Sequence, residues 1–162
     1  LLKGLITDET GSPIPCKTVI WGKGITPTPD FFPETGSDRV RNIIYSASGD
    51  FSQAIEPGDY HVVISRGTEY DIIEKDIVLK TGETVLLKET LKRSVQTDGW
   101  VSMDIGSRST VSKALSSSER RGRVLNLLAE GIEFAPTVEM HYISDNSDIV
   151  QSRKFEKYSS TF

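Results

Sequence analysis

The sequence predicts a mainly β protein in three parts. A seven-stranded antiparallel β-sandwich is expected over residues 1–95, a strand–helix–strand unit over residues 96–145 and an extended polar tail over residues 146–162. Short apolar runs in the first part are separated by turn residues about every ten positions, which is typical of sandwiches. The spacing of apolar residues then becomes helical, and the last residues are polar and rich in serine.

Seven short runs account for the strands of the sandwich. In one of them Tyr60, Val62 and Ile64 alternate with other residues and therefore share one face. Pro57-Gly58 supplies the turn that precedes this run. The predicted strands are residues 3–7, 17–21, 41–47, 50–55, 59–66, 72–80 and 83–91.

The second part predicts one helix between two strands. The predicted elements are a strand at 100–105, a helix at 117–130 and a strand at 133–138. Ser116–Glu119 has the form of a capping box, in which serine and glutamate satisfy amides at a helix start. Val124 and Leu128 share one helical face, and Gly131 suits the left-handed residue that follows a helix end.

Composition excludes several classes of function. The 162 residues carry a net charge of −4 without a basic stripe, so nucleic acid is not an expected partner. No apolar run approaches the ~20 residues of a membrane helix. The one cysteine, Cys16, leaves no internal disulfide, and two histidines, His61 and His141, are too few for a Cys–His metal cluster.

The chain begins with Leu rather than Met, which leaves two interpretations open. A signal or anchor segment has been removed, or the chain is a fragment of a longer protein. On the first interpretation we expect a periplasmic or extracellular location.

Residues 4–15, GLITDETGSPIP, contain a Gly-Ser-Pro turn that leads into a strand. Together with Gly49-Asp50-Phe51 and Pro57-Gly58-Asp59-Tyr60 they resemble the carboxypeptidase regulatory-like domain. That family is a transthyretin-like β-sandwich, and the resemblance covers the first part of the chain. It implies the same fold for residues 1–95.

A second resemblance joins the first and second parts. The segments Ser65–Tyr70, Leu91–Arg93 and Gly99–Asp104 resemble the junction between such a sandwich and a PHP-type (polymerase and histidinol phosphatase) metallohydrolase domain. Leu128–Phe134 resembles the helix end of the same superfamily. Its members carry Asp-x-His-x-His after a first strand and Thr-Asp-His-Asn after a later one.

The metal ligands that this resemblance implies are missing from the sequence. Asp104 keeps the first acid, but Gly106 and Arg108 stand where two histidines are expected, and Met140 replaces another. Glycine offers no ligand, and arginine brings a permanent positive charge that repels a cation. The resemblance therefore implies a degenerate, truncated metallohydrolase start: a pseudoenzyme without catalytic residues, metal or cofactor.

An enzyme is the alternative interpretation. It would be a divergent metal-dependent hydrolase, a phosphoesterase or a fragment of one, with Asp104, Glu139 and His141 as metal ligands. Arg108, in a loop of glycine and serine, is a weaker candidate for holding an anion. Solvated loop charges at strand ends are the favoured interpretation of the first set, and an ordinary linker is the favoured interpretation of the loop around Arg108.

Protein partners are the expected ligands of this chain. Phe31 and Phe32 are adjacent in the long loop 22–39, and neighbours in an extended segment point to opposite sides, so at least one should be covered. A second contact surface is expected from the aromatic residues of the tail, Phe155, Tyr158 and Phe162. Open edge strands offer a further route to partners or to homo-oligomers. The sequence thus predicts a non-catalytic binding or structural module, an exported accessory subunit of a larger assembly.

Overall fold

The described residues of the first part of the chain form eight strands. The computed structural model describes residues 1–31, 39–106, 120–136, 146–152 and 158. The strands are β1 (Leu2–Thr7), β2 (Cys16–Gly22), β3 (Arg39–Val40), β4 (Ile43–Ser46), β5 (Asp50–Gln53), β6 (Gly58–Ser65), β7 (Ile73–Leu79) and β8 (Val85–Thr90). Each of the seven predicted strands overlaps one of these strands, and the two-residue β3 is additional.

The strands form two sheets, with the orders β5-β1-β8 and β3-β4-β2-β6-β7. We call residues 1–31 and 39–94 the two-sheet domain. Its neighbouring strands are antiparallel except β1 and β8, which run parallel with Leu2 opposite Val85. The antiparallel prediction is therefore wrong for this pair. A hairpin fixes an antiparallel pair, whereas β1 and β8 are joined through the whole second sheet, and a long connection permits a parallel one.

A single apolar cluster takes side chains from both sheets. Leu2 and Ile6 of the smaller sheet and Ile20, Tyr60 and Ile64 of the larger sheet are all buried in it. Each alternates with more exposed neighbours along its strand. Because full burial of such a side chain contributes about 1.5–3 kcal/mol, this cluster is the main source of stability for the two-sheet domain.

The helix of the second part, α1 (Arg120–Ala129), lies against β2 and β4. It ends as predicted at Gly131, whose φ is 73°. The amides of Gly131 and Ile132 donate to carbonyls of the last turn at 3.1 and 2.9 Å, the pattern of a Schellman motif. The predicted capping box Ser116–Glu119 lies outside the described residues.

The two predicted strands beside α1 meet in a short pairing of three backbone hydrogen bonds within the described residues. Met103 and Phe134 form an isolated parallel bridge. The predictions of strands at 100–105 and 133–138 are therefore wrong in extent for residues 100–105 and 133–136, and residues 137 and 138 lie outside the described part of the chain. Pro136 explains part of the difference, because it has no amide hydrogen with which to continue the pairing.

The prediction of an extended tail is wrong for residues 147–152, which form α2 (Ser147–Ser152). The Asn146 carbonyl accepts from the amides of Ile149 and Val150 at 2.9 and 3.1 Å, and asparagine is favoured at a helix start. Val150 is buried in a cluster with Val124 of α1. The tail therefore bends into a helix because its apolar side chains pack against α1, a tertiary effect that its polar composition does not show.

A second apolar cluster connects the helices to the two-sheet domain. Ala47, just after β4, packs against its buried members, which are Val124, Leu127, Leu128, Ala135 and Val150. Neither α1 nor α2 is long and apolar enough to cross a membrane, nor is any other helix in the described part of the chain.

Candidate functional site

Four segments that the sequence analysis singled out meet where the two-sheet domain contacts the end of α1. Together they line a cavity of about 230 Å³, which we call the junction cavity. It is partly open to solvent and mostly polar. The four segments contribute Arg66 to Tyr70, Arg93, Ser102, and Gly131 with Glu133.

Arg66 is the buried cation of this junction. It follows β6 in the same alternating row as Tyr60, Val62 and Ile64, so its side chain points inward and is 6% exposed. Its Nη1 donates to the carbonyls of Pro15 at 3.0 Å and Leu128 at 2.6 Å. Leu128 belongs to the last turn of α1, where the helix dipole favours a positive charge. Arg66 therefore ties α1 to the two-sheet domain.

Aromatic rings complete the surroundings of Arg66. Its guanidinium carbon lies 5.7 Å from the ring centre of Tyr70 and 5.2 Å from that of Tyr158. Burial lowers the pKa of Arg66, and this effect is opposed by Tyr70, Tyr158 and Cys16. No carboxylate is among these influences, and the buried Nε–H has no hydrogen-bond acceptor among the described residues. Arg66 is thus held by carbonyls and π faces rather than by an ion pair.

The carboxylates around the junction cavity are engaged elsewhere. Arg93 Nη2 donates to Glu69 at 2.6 Å, and the backbone amide of Ser102 donates to Glu133 at 3.1 Å. The third carboxylate, Asp8, accepts from turn amides at 2.9 Å. Glu69 and Arg93 thus form an ion pair at this cavity, whereas Arg66 takes its hydrogen-bond acceptors from backbone carbonyls.

Two glycines let the backbones meet at this junction. Gly67 has a φ of 57°, and a Cβ placed there would lie 2.3 Å from the carbonyl oxygen of Glu130. Gly131 lies opposite, with its own left-handed φ. Any side chain at Gly67 would force the end of α1 away from the two-sheet domain.

Asp104 lies in a separate groove of about 530 Å³ beside α1. Its Oδ2 accepts from Arg123 of α1 at 2.8 Å, and its Oδ1 accepts from the amide of Gly106 at 2.9 Å. Glu130, on the same groove, pairs with Lys17 of β2 at 2.5 Å. Within the described residues, no three side chains of the His, Cys, Asp or Glu types come together to hold a metal.

The other members of the alternative metal site lie outside the described residues. These are Glu139, Met140 and His141, and Arg108 lies outside them as well. Their placement beside Asp104 stays a prediction. What the structure adds is that the carboxylate of Asp104 already faces a guanidinium.

The segment around Asp104 has its alternation reversed relative to the strands of the two-sheet domain. Val101, Met103 and Ile105 are 51, 58 and 71% exposed, and we call these three residues the outward stripe. The polar residues between them, Ser102 and Asp104, are less exposed. The backbone amide of Ser102 donates to Glu133, and the carboxylate of Asp104 accepts from Arg123. Trp100 beside the stripe is 80% exposed. This is an apolar surface without a cover among the described residues.

Two of the aromatic residues predicted to bind partners, Phe31 and Tyr158, lie among the described residues. Phe31 is half-buried against the main apolar cluster, and its amide donates to the carbonyl of Arg41 at 2.7 Å. Tyr158 donates from its hydroxyl to the Pro13 carbonyl at 2.8 Å. Phe32, Phe155 and Phe162 lie outside the described residues. Phe31 and Tyr158 therefore pack within the chain, and their roles in partner binding stay predictions.

His61 belongs to a polar group on the outer face of the larger sheet. Its Nδ1 lies 2.8 Å from Asp76 Oδ1, and Lys23 donates to the other oxygen of Asp76. These two hydrogen bonds, that from Lys23 first, lower the pKa of Asp76. Trp21 lies against His61 with its ring centre 6.0 Å away. Burial raises the pKa of the Cys16 thiol to about 12, so this cysteine is inert.

Sequence reasoning did not assign a site role to Arg66, Tyr70 or Ser102. A signal for Arg66 was present, because it stands two positions after Ile64 and so extends the buried row of β6. No protein-family model matches the chain, and no curated protein matches it. The resemblances to the carboxypeptidase regulatory-like and PHP domains accordingly stay predictions.

Proposed function

We propose that this protein is a non-catalytic binding or structural module that serves as an accessory subunit of a larger, exported assembly. The same proposal takes residues 1–95 as a transthyretin-like sandwich of the carboxypeptidase regulatory-like class and residues 96–145 as a degenerate PHP-like segment. The outward stripe is the observation that carries the functional part of the proposal.

The outward stripe fits a surface that a partner polypeptide covers. In a lone strand that borders a core, the apolar face turns inward and the polar face turns to water. Here Ser102 and Asp104 are the less exposed residues, with the Asp104 carboxylate bound to Arg123, and three large apolar side chains take the outward side. A contiguous exposed apolar patch of this kind is characteristic of protein interaction sites. We therefore assign the stripe to a protein partner with an apolar face.

The edge strand β7 gives less support to partner recruitment. It carries Glu74, Lys75 and Asp76 in succession, and Lys75 pairs with Glu89 of β8. Charged side chains on an edge oppose the addition of another strand. The stripe is thus the favoured contact surface.

The ion pair between Asp104 and Arg123 supports the non-catalytic side of the proposal. A divalent metal at Asp104 would lie beside a guanidinium whose positive charge persists at any physiological pH. The positive charge of Arg123 repels a metal cation and so lowers the affinity of the Asp104 carboxylate for it. Arg123 replaces the metal as the partner that Asp104 needs.

The stripe is tested by the native mass of the protein purified from its natural source. We expect a complex heavier than the 17.9 kDa chain. Replacing Met103 and Ile105 with glutamate should dissociate it, because burying two new carboxylates against an apolar partner is costly. Ile25→Glu is the matched control, since Ile25 is a fully exposed apolar residue in a loop and should leave the complex intact. A wild-type mass of one chain, or equal dissociation by the control, would contradict the proposal.

The enzyme alternative is tested by metal. We expect elemental analysis of the same preparation to find no stoichiometric transition metal, and a chelator to leave the melting temperature unchanged. A resident metal stabilises the folded state, so its removal would lower that temperature. One equivalent of metal per chain, lost in Asp104→Asn, would favour the phosphoesterase interpretation instead.

A further inference from the structure

The segment around Met103 pairs with its neighbour along one edge only. The Ser102 carbonyl accepts from the amide of Phe134 at 3.1 Å, and the Asp104 amide donates to the carbonyl of Phe134 at 3.0 Å. Successive residues of an extended segment direct their backbone groups to opposite edges, so the amide and carbonyl of Met103 point away from Phe134. Neither group makes a hydrogen bond with another described residue. Met103 therefore lies on an open strand edge, which we call the Met103 edge.

The Met103 edge coincides with the outward stripe. Met103 and Val101, which stands two positions earlier in the same alternation, are each more than half exposed. An unpaired backbone donor and acceptor beside exposed apolar side chains form a template to which a strand of another chain can add. The edge strand β7 has the opposite character, since charged side chains follow one another along it. Addition of a strand is therefore favoured at the Met103 edge over β7.

The groove beside α1 adjoins the Met103 edge. Met103 and Ile105 line it, and Tyr45, Leu127 and Ile132 bring further apolar surface. Because side chains alternate along a strand, those on one face of an added strand would find this groove. An extended segment therefore gains contacts from both its backbone and its side chains.

Charge narrows the chemistry of that segment. The charged side chains of the groove are paired, Asp104 with Arg123 at 2.8 Å and Glu130 with Lys17 at 2.5 Å. A charged side chain entering the groove would lose water without gaining an opposite charge of its own, which is costly. Apolar side chains carry no such cost, so the segment that fits the groove is apolar.

A second copy of the chain fits the Met103 edge less well than a separate polypeptide. Two copies paired antiparallel about Met103 would set Val101 of one copy opposite Ile105 of the other. Ile105, however, belongs to a turn that follows Asp104, whose Oδ1 accepts from the Gly106 amide at 2.9 Å. The symmetric pairing would therefore stop at Met103 itself.

We propose that an extended, apolar segment of the partner polypeptide adds as a strand to the Met103 edge and places side chains in the groove beside α1. This mode of binding rests on the proposed function, because the segment belongs to the partner that was assigned to the outward stripe. The Met103 amide donates to the added strand and the Met103 carbonyl accepts from it, which gives affinity. The groove admits apolar side chains and disfavours charged ones, which gives specificity.

Hydrogen exchange of single amides tests this mode of binding. The native complex from the natural source is compared with the isolated chain, and the Asp104 amide is the internal reference because it is bonded to Phe134 in both. We expect the Met103 amide to exchange freely in the isolated chain and at least about tenfold more slowly in the complex, whereas the Asp104 amide is protected in both.

The contrary results of this experiment have different meanings. A complex of the expected mass in which the Met103 amide stays unprotected would overturn the added strand and leave the proposed function standing. A native mass of one chain would overturn both. Protection of the Met103 amide in the isolated chain, or in an assembly of this chain alone, would assign the edge to the chain itself or to a second copy and so reject a partner strand.

Met103→Pro separates the backbone of the edge from its side chain. It removes the amide hydrogen and keeps an apolar side chain, and it spares the pairing with Phe134, which uses Ser102 and Asp104. We expect the affinity for the partner, recovered by dissociating the native complex, to fall about tenfold or more, because the carbonyl of the added strand loses its donor.

Two further variants control for the substitution itself. Met103→Leu keeps the amide and should bind at least about fivefold more tightly than Met103→Pro. Ile25→Pro makes the same change at a fully exposed residue outside the stripe and should stay within about threefold of the wild type. Equal affinities for the two Met103 variants would show that side chains alone hold the partner and so reject the added strand.

Discussion

The two-sheet domain and the segment around Met103 use the same alternation of side chains in opposite senses. In β6, Tyr60 and Ile64 turn inward and Asp59 turns to solvent. In the outward stripe, Met103 turns to solvent and Asp104 turns inward to Arg123. The first arrangement holds itself together by apolar burial, whereas the second depends on individual polar contacts. The two-sheet domain therefore has an apolar core of its own, whereas the described residues of the second part are held by contacts with that domain.

The docking of the second part is concentrated in a few groups. Arg66 donates to α1, Gly67 meets Glu130 backbone to backbone, and Lys17 pairs with Glu130. The apolar cluster under α1 is small, with five buried members among the described residues. Changes at Arg66 and Gly67 should therefore affect α1 more than changes of the same type elsewhere in the two-sheet domain.

Arg66→Met is expected to have the largest effect. It removes two hydrogen bonds from a buried charged donor, each worth about 1.5–3 kcal/mol, so the free energy of unfolding should fall by about 3–5 kcal/mol. Urea denaturation of the whole chain measures this loss, and hydrogen exchange should show the amides of α1 opening first.

Arg93→Met is the matched control for that change. Arg93 pairs with Glu69 near the surface, with 40% of its side chain exposed, and such pairs contribute about 1 kcal/mol or less. Equal losses for the two variants would mean that Arg66 is an ordinary surface arginine in energetic terms, and the contrast between the two regions would fail.

Gly67→Ala is expected to have the next largest effect. The left-handed φ costs a residue with a side chain about 1–2 kcal/mol, and the new Cβ would also press on the carbonyl of Glu130. We expect a total loss of about 2–3 kcal/mol in the free energy of unfolding. Gly82→Ala separates the two causes, because Gly82 has a φ of 76° but no atom within 4 Å of the added Cβ. If both variants lose the same amount, the backbones at the junction have room to move apart.

The sequence was sufficient where local alternation decides the structure. In β1, β2 and β6 every second residue is buried, so the local alternation was enough to predict these strands. Gly131 was likewise predictable as a helix terminator, since a left-handed residue favours glycine. These features depend on nearest neighbours along the chain.

Contacts between residues far apart in the sequence could not be predicted from local patterns. The parallel pairing of β1 with β8 depends on how the chain returns after the second sheet, which no local pattern records. The helix α2 forms because Val150 packs against α1. Met103 turns outward because the Ser102 amide hydrogen-bonds with Glu133 and the Asp104 carboxylate hydrogen-bonds with Arg123. The burial of Arg66 was readable from its position in β6, but its partners on α1 were not. Sites formed by segments that are far apart in the sequence could therefore be located only in the three-dimensional structure.

The smallest expected effect is a dependence of stability on pH, which distinguishes the two-sheet domain from its junction with α1. Hydrogen bonds from Lys23 and His61 lower the pKa of Asp76 in the two-sheet domain, whereas the guanidinium of Arg66 at the junction stays protonated throughout the acid range. A carboxyl whose folded-state pKa is lowered stabilises the fold above its ordinary pKa of 3.8, and this contribution disappears as the pH falls through the lower value. Asp76→Asn should therefore be less stable than the wild type at pH 7 and indistinguishable from it in strong acid.

Asp71→Asn controls for the loss of one negative charge. In a Trp100→Phe background the fluorescence of Trp21, which lies against His61, would follow the local change. A difference between wild type and Asp76→Asn that persists below the lowered pKa would mean that the carboxylate charge is not what holds Lys23 and His61.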